Sequence, residues 1–216
     1  MKPTSPEIIP FVLGMMENNS YILFDPQSMQ GVVIDPSFDS GRMLNEARKR
    51  GIDLQMVLLT HAHFDHIAGV RECCEAVYPP LRVALHPSDF ELYRQGGGAA
   101  LFGMPMQAAP APQVRLENGQ VLRIGNIELV VYHTPGHTPG HVTFYCQAAG
   151  TAFCGDVIFA GSIGRTDLPG GDYDQLMASI RSTILTLPPD TRLLSGHGPE
   201  TTVAKETANN PFLRGL

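Results

Sequence analysis

Short apolar runs bounded by turn residues recur along the chain and predict a series of β-strands. In the first half these runs cover residues 8–13, 21–24, 31–34, 56–59 and 82–85, and in the second half residues 121–124, 127–133, 142–146, 152–154 and 192–194. The run at 56–59 is apolar at every position, which is typical of a strand that is buried on both faces.

Helices are predicted between these strands. Asp35-Pro36-Ser37 precedes a predicted helix at residues 41–50, and Gly51 stands where a C-terminal glycine belongs. Further helices are predicted at residues 67–77, 86–95, 173–187 and 201–207. Strands come first in each half and mixed strands and helices follow, which predicts packed sheets with helices outside them.

Composition fits one domain over residues 1–216, with 43% hydrophobic and 17% charged residues. The net charge of −6 gives no basic surface, so nucleic acid is not an expected partner. No apolar run reaches the ~20 residues of a membrane helix, and no apolar segment near Met1 indicates a secretory signal. The four cysteines (Cys73, Cys74, Cys146 and Cys154) are few for a disulfide scaffold, so we expect reduced, buried thiols and a cytoplasmic protein.

The most informative segment is the one that follows the run at 56–59. His61 and His63 are two residues apart on an extended segment, so their imidazoles can converge on one ion. Asp65 and His66 follow where the chain turns into a helix, and they therefore point elsewhere. Ligands aimed in two directions indicate two adjacent metals.

Three later segments repeat the order of apolar strand, glycine-rich turn and ligand. They carry His137, Asp156 and His197. A glycine beside a ligand lets the backbone bend tightly at the end of a strand and approach an ion closely. Residues 96–112 are rich in Gly, Ala, Met and Pro; they are expected to form a flexible cover over a cleft rather than a phosphate-binding loop.

With these residues in order, the chain resembles the metallo-β-lactamase superfamily. The resemblance implies an α/β fold, the αββα sandwich, in which two mixed β-sheets are flanked by helices. It implies two divalent metals, zinc first, with iron or manganese as alternatives. The first metal would be held by His61, His63 and His137, the second by Asp65, His66 and His197, and Asp156 would bridge them; Asp65 and Asp156 are the expected catalytic carboxylates.

Within this superfamily the chain is similar to the short, single-domain bacterial glyoxalase II-like proteins. The segment from Gly155 to Pro169 and the ending Asn210-Pro211-Phe212-Leu213 carry this similarity. It implies hydrolysis of thioesters such as S-lactoylglutathione by a metal-bridging hydroxide. The C-terminal helical domain that binds glutathione in full glyoxalase II is expected to be absent. Arg165 is then the candidate for a substrate carboxylate, and a structural pair with Asp167 or Asp172 is the alternative.

Other activities remain open at this point. A mononuclear iron persulfide dioxygenase shares the scaffold and the motif, and a lactone or ester hydrolase of the same fold is a closer variant. A non-catalytic binding module is disfavoured because all seven ligand positions are intact. Of the other histidines, His141 is expected to orient the His137 loop, His133 to be a hydrogen-bonded neighbour of the site, and His86 to cap a helix.

Overall fold

Residues 5–214 are described by a computed structural model, and they form two six-stranded sheets that pack face to face. The first sheet is ordered β1 to β6, antiparallel from β1 to β3 and parallel from β3 to β6. Its strands are β1 (Glu7–Leu13), β2 (Asn18–Phe24), β3 (Gln30–Ile34), β4 (Asp53–Leu58), β5 (Arg82–Leu85) and β6 (Val114–Arg115).

The second sheet is also mixed, and its order is β14-β13-β10-β9-β8-β7. Only β10 and β13 run parallel within it. Its strands are β7 (Val121–Ile124), β8 (Ile127–His133), β9 (Val142–Cys146), β10 (Thr151–Gly155), β13 (Arg192–Ser195) and β14 (Thr201–Thr202); a separate hairpin joins β11 (Ile158–Phe159) to β12 (Ser162–Ile163).

Helices cover the outer face of each sheet. The first sheet carries α1 (Gly41–Arg50), α2 (Phe64–Ile67), α3 (Val70–Glu75) and α4 (Phe90–Arg94), and the second carries α5 (Tyr173–Ser182) and α6 (Val203–Asn209). The apolar side chains therefore form three layers: between helices and first sheet, between the sheets, and between second sheet and helices. This is the expected αββα sandwich, and the fold prediction is confirmed.

The strands agree with the sequence pattern, and the differences lie in the helices and the short elements. The helix predicted at 67–77 is wrong, because α2 and α3 are separate. They divide at Gly69, which packs so closely against Ser37 and Ser40 that a side chain there would overlap them. The hairpin β11–β12 and the strands β6 and β14 were not predicted, since two-residue strands carry no alternation of polar and apolar positions.

All four cysteines are buried and unpaired, as expected from their number. Cys154 packs in the layer between the second sheet and its helices, and burial raises the pKa of its thiol. None of the helices formed by residues 5–214 combines the length and the apolar character needed to span a bilayer.

The layer between the sheets gives a test of the fold. Phe144 is fully buried there, so Phe144→Ala should lower the free energy of unfolding by about 3–5 kcal/mol through lost burial and a residual cavity. Val121→Ala is the matched control, because Val121 is 47% exposed and its truncation should cost less than about 0.5 kcal/mol. Denaturant titration at fixed metal content measures both; equal losses in the two variants would contradict the described core.

Candidate metal centre

The candidate ligands meet at one end of the sandwich because the strands that precede them end there. Asp35 follows β3 and His61 follows the parallel neighbour β4, so both lie at the same sheet edge. Asp156 and His197 follow β10 and β13, the parallel pair of the second sheet. A hydrogen bond from Val142 N to Thr60 O, 2.7 Å long, joins the two edges.

The first group consists of His61, His63 and His137. One nitrogen atom from each ring lies within 4.8 Å of the others, and all three side chains are buried. His63 Nδ1 and His137 Nε2 are 2.8 Å apart. The geometry allows the three rings to share one cation.

The second group consists of Asp65, His66 and His197, with ligand atoms that also lie within 4.8 Å of one another. Asp65 Oδ2 is 3.2 Å from His197 Nε2 and 3.7 Å from His66 Nε2. Its two imidazoles and one carboxylate are a donor set that suits a divalent transition metal.

Asp156 lies between the two groups and contacts both. Its Oδ2 is 3.6 Å from His137 Nε2 in the first group and 3.7 Å from His197 Nε2 in the second. Its Oδ1 is 3.4 Å from His66 Nε2. One carboxylate therefore faces both candidate ion positions.

Hydrogen bonds on the outer nitrogen fix the orientation of four of these rings. His66 Nδ1 donates to Asp35 Oδ2, His137 Nδ1 to Arg165 O and His197 Nδ1 to Met16 O, at 2.8–3.1 Å, because a carboxylate or a carbonyl only accepts. Thr60 gives its one proton to Asp35 Oδ2, so the hydroxyl oxygen accepts from His61 Nδ1. In each ring Nε2 is then the nitrogen directed into the cluster, where its lone pair can bind a metal once the atom carries no proton.

The atoms directed inward fit a cation. His61 Nε2, His66 Nε2 and Asp156 Oδ1 are buried, and within residues 5–214 they have no hydrogen-bond partner. Unpaired polar atoms of this kind are costly unless an ion satisfies them. A Cβ at Gly196 would overlap Asp156 Oδ1 and His66, so glycine there keeps the space free.

The charges in the cluster also attract a cation. Burial lowers the pKa of His61 well below its usual value and that of His63 to about 3, so these rings are neutral and able to coordinate. Burial opposes protonation of His66 too, but the carboxylates of Asp156 and Asp65 outweigh it and raise the pKa of His66. Burial works against ionisation of Asp65, yet His66 and His197 hold the pKa of Asp65 at about 2.

Two buried aspartates that sequence reasoning did not assign to the site support the ligands. Asp35 accepts hydrogen bonds from Thr60 N (2.7 Å), Thr60 Oγ1 (2.6 Å) and His66 Nδ1 (3.0 Å). It thereby orients His66 directly and His61 through Thr60. Its backbone has φ +47°, a conformation unusual for a non-glycine residue. Asp35 follows an apolar strand as the ligands do, and that pattern could have identified it.

Asp89 fastens the two loops that carry the first group. Its Oδ2 accepts from Ala62 N (3.0 Å), between His61 and His63, and from Thr138 Oγ1 (2.7 Å), beside His137. Its Oδ1 accepts from Gly140 N at 2.6 Å. Burial raises the pKa of Asp89, and these three hydrogen bonds only partly offset that effect.

The remaining histidines lie outside the cluster's inner face. His141 is buried and accepts the backbone N–H of Asp156 at its Nε2 (3.1 Å), while its Nδ1 lies 3.1 Å from Thr134 Oγ1 in the loop that carries His137. It therefore contacts both the Asp156 turn and the His137 loop. His133 Nε2 is bonded to Pro139 O, and its ring stacks on His86 with centroids 4.1 Å apart. His86 accepts from Ser88 N, as a helix-capping residue does.

A cavity of about 840 Å³ opens onto the cluster. Arg165 lies on its wall, where Nε and Nη2 donate to both carboxylate oxygens of Asp167 at 2.7 Å. Of the segment at 96–112, Gly97 to Phe102 border this cavity, while Met104 to Pro112 border a second one of about 630 Å³. The segment forms a wall between two cavities, with only its first part beside the metal centre.

Residues 14–197 match the profile of the metallo-beta-lactamase superfamily, and the chain belongs to that family. With its His/Asp cluster it is a metal-dependent hydrolase that uses divalent metal ions and acts on a small-molecule substrate.

Three similar proteins show which activities and metals occur among proteins related to this chain. The chain is 35% identical to hydroxyacylglutathione hydrolase GloC of Haemophilus influenzae, over 96% of this chain and 97% of that protein. It is similar to the crystal structure of BLEG-1 B3 metallo-beta-lactamase, with 38% identity, a TM-score of 0.91 and coverage of 97% and 100%. The crystal structure of TTHA1623 in a di-iron-bound form gives 40% identity, a TM-score of 0.86 and coverage of 95% and 100%.

The position of Asp156 predicts a joint loss of metal and activity. Asp156→Ala removes a carboxylate whose oxygens face ligands of both groups. Metal affinity should therefore fall at least about 100-fold, more than the roughly 10–100-fold loss expected when a residue that only supports a ligand is changed. His133→Asn is the control and should keep its metal, because His133 bonds to Pro139 O instead. Elemental analysis after dialysis measures both; two retained metals in Asp156→Ala would remove the bridging role.

Asp89 gives a second prediction at the same site. In Asp89→Asn the side-chain amide must face the N–H of either Ala62 or Gly140, so one hydrogen bond becomes a donor–donor contact. Metal affinity should fall about 10–100-fold while the fold is retained. Competition with a chelator measures the affinity, and Asp190→Asn, at an exposed position, is the control. Equal affinities in the two variants would contradict the role of Asp89.

Proposed function

We propose that this protein hydrolyses acyl thioesters at a site that holds two divalent metal ions, zinc in the first instance. The observation that carries the proposal is the position of Asp156, whose two oxygens face His66 on one side and His137 and His197 on the other. A carboxylate between two ligand groups is the arrangement expected of a two-metal hydrolase.

In this proposal His61, His63 and His137 hold one ion, Asp65, His66 and His197 hold the other, and Asp156 contacts both. Two such cations would lower the pKa of a shared water and polarise a carbonyl. The chain's own contribution is orientation, since hydrogen bonds from Nδ1 to protein oxygens hold the imidazoles of His61, His66, His137 and His197 in place.

The reaction needs only water as a second reactant. A C–O bond forms between water and the acyl carbon, and the C–S bond breaks. One proton of the water ends on the departing thiolate and the other goes to solvent, so that a carboxylate and a thiol are released. Asp65 lines the cavity as an ionised carboxylate held by Asn18, and we assign it the role of accepting the hydrogen bond of the attacking water. A thiolate is a good enough leaving group that no separate general acid is required.

The similarity to GloC supports S-lactoylglutathione as the first substrate to test, and the similarity to BLEG-1 makes β-lactams the alternative substrate class to test beside it. The experiment compares hydrolysis of S-lactoylglutathione and of a chromogenic cephalosporin by the protein as purified, after metal removal, and after reloading with zinc. We expect thioester hydrolysis that is lost and restored with the metal. Hydrolysis of the cephalosporin alone would overturn the proposal, and so would oxygen consumption on glutathione persulfide by a one-iron protein.

Arg165 gives the kinetic prediction. Because Asp167 already pairs with it and its side chain is 53% exposed, its attraction for a substrate carboxylate is weak. S-lactoylglutathione should therefore show a high KM, which Arg165→Ala raises further, about threefold, with kcat retained. Asp167→Ala should lower KM, since it frees the guanidinium.

Arg192→Ala is the matched control for this series. Arg192 pairs with Glu200 at 2.6 Å, is similarly exposed, and does not line the cavity. Steady-state kinetics measure all three variants at equal metal content. If Arg165→Ala and Asp167→Ala both leave KM unchanged, Arg165 has no role in substrate binding.

A further inference from the structure

The cavity beside the metal centre joins the candidate ligands to an apolar chamber. Its volume is about 840 Å³, and His63, Asp65, His137, Asp156 and His197 all open onto it. Away from these ligands its walls are formed chiefly by large apolar side chains, namely Leu92, Leu101, Phe102, Phe159, Ile163 and Leu168. A reactive site that opens onto apolar walls favours a substrate with an apolar group next to the reacting bond.

Several of these apolar side chains are exposed where the cavity meets solvent. Leu101 is 65% exposed, Phe102 45% and Met16 41%. Burial of apolar surface is favourable in proportion to its area, so a ligand that covers these side chains gains binding free energy.

The charges around the cavity disfavour an anionic substrate. Among the described residues that line it, Arg165 is the only Lys or Arg, and Asp167 already neutralises it. Beyond the metal centre, the walls therefore offer an anion no unpaired Lys or Arg side chain among the described residues. The two carboxylates of a glutathione thioester would lose hydration there without gaining partners.

Hydrogen bonds hold both segments that carry these apolar side chains. Phe64 N donates to Gly97 O at 3.0 Å, and the ring of Phe102 packs on that of Phe64 with centroids 5.2 Å apart. In the second segment, Gly161 N donates to Glu206 Oε2 (2.9 Å) and Asn210 Nδ2 donates to Ser162 O (3.0 Å), which ties the β11–β12 hairpin to α6 and to the residue that follows it. Both segments are therefore tied to the rest of the fold, which reduces the conformational ordering that ligand binding requires.

We propose that the substrates this site prefers are uncharged thioesters with an apolar acyl chain, which lies against Leu101, Phe102, Phe159 and Ile163. The inference rests on the proposed thioester hydrolysis and adds its substrate class. The bonds formed and broken are those of the hydrolysis proposed above: water supplies one oxygen of the released carboxylate, and the thiol is the leaving group.

A homologous series tests the acyl chain. The zinc-loaded protein is assayed with acetyl, butyryl, hexanoyl and octanoyl thioesters of N-acetylcysteamine, a neutral thiol, and with the octanoyl thioester of glutathione. We expect kcat/KM to rise about threefold per added methylene, somewhat less than full burial gives, because the mouth is open to solvent. The glutathione thioester should be poorer than its neutral counterpart by at least about tenfold.

A cavity variant and a matched control locate the effect. Phe102→Ala should reduce the dependence of kcat/KM on acyl-chain length, because it removes a partly exposed aromatic ring from the lining of the cavity. Tyr78→Ala truncates an aromatic side chain that is 98% exposed and does not line the cavity, and should leave the dependence as in the unmodified protein. Equal dependence in all three proteins would overturn the assignment of the chain to this chamber.

A binding measurement separates this inference from the proposed reaction. S-alkyl thioethers of N-acetylcysteamine, which cannot be hydrolysed, are titrated calorimetrically into the same zinc-loaded protein. If the Kd of the thioethers falls with chain length but neither the N-acetylcysteamine thioesters nor the glutathione thioester is hydrolysed, the proposed reaction is overturned, and the proposed substrate class is overturned with it. If thioesters are hydrolysed but neither Kd nor kcat/KM depends on chain length, the inference alone is overturned.

Discussion

The structure depends on one electrostatic constraint: imidazole nitrogens and carboxylate oxygens face one another at a buried edge, where some of them have no hydrogen-bond partner within residues 5–214. His61 Nε2, His66 Nε2 and Asp156 Oδ1 are the clearest cases. Lone pairs that converge in a site of low polarity repel one another, and burying them unpaired costs several kcal/mol in all. Cations remove both penalties, so the same arrangement that destabilises the bare protein supplies the affinity for metal.

The two sheets convert this constraint into a precise site. Each ligand follows the end of a strand, and the strand ends are held together by hydrogen bonds that cross from one sheet to the other, such as that from Val142 N to Thr60 O. Asp35 and Asp89 are not among the seven candidate ligands, but they hold those ligands in position through hydrogen bonds. Asp35 sets the orientation of the rings, and Asp89 sets the spacing between the loop of His61 and His63 and the loop of His137. Rings held in this way cannot turn to satisfy their inner nitrogens elsewhere.

The sequence allowed most strands to be predicted, because apolar runs are local signals. The seven candidate ligands were proposed from local motifs and from the family resemblance they carry, and the structure brings these seven side chains to one end of the sandwich. The role of Asp89 could not be predicted, since its partners Ala62 and Thr138 are 27 and 49 positions away and their meeting depends on the folded sheets. The division between α2 and α3 was missed for a similar reason, because it arises from the close packing of Gly69 on a distant turn. Nor did the sequence reveal that the apolar residues of 97–102 and of the β11–β12 hairpin line one cavity beside the metal centre.

The central claim is that the two ligand groups hold two ions at once, with Asp156 between them. Elemental analysis of protein purified without added metal, combined with its activity at each metal content, tests this most directly. The account predicts about two metal ions per chain at full activity, with activity falling as the second ion is removed. Full activity with a single ion per chain, or a protein that binds none, would contradict it.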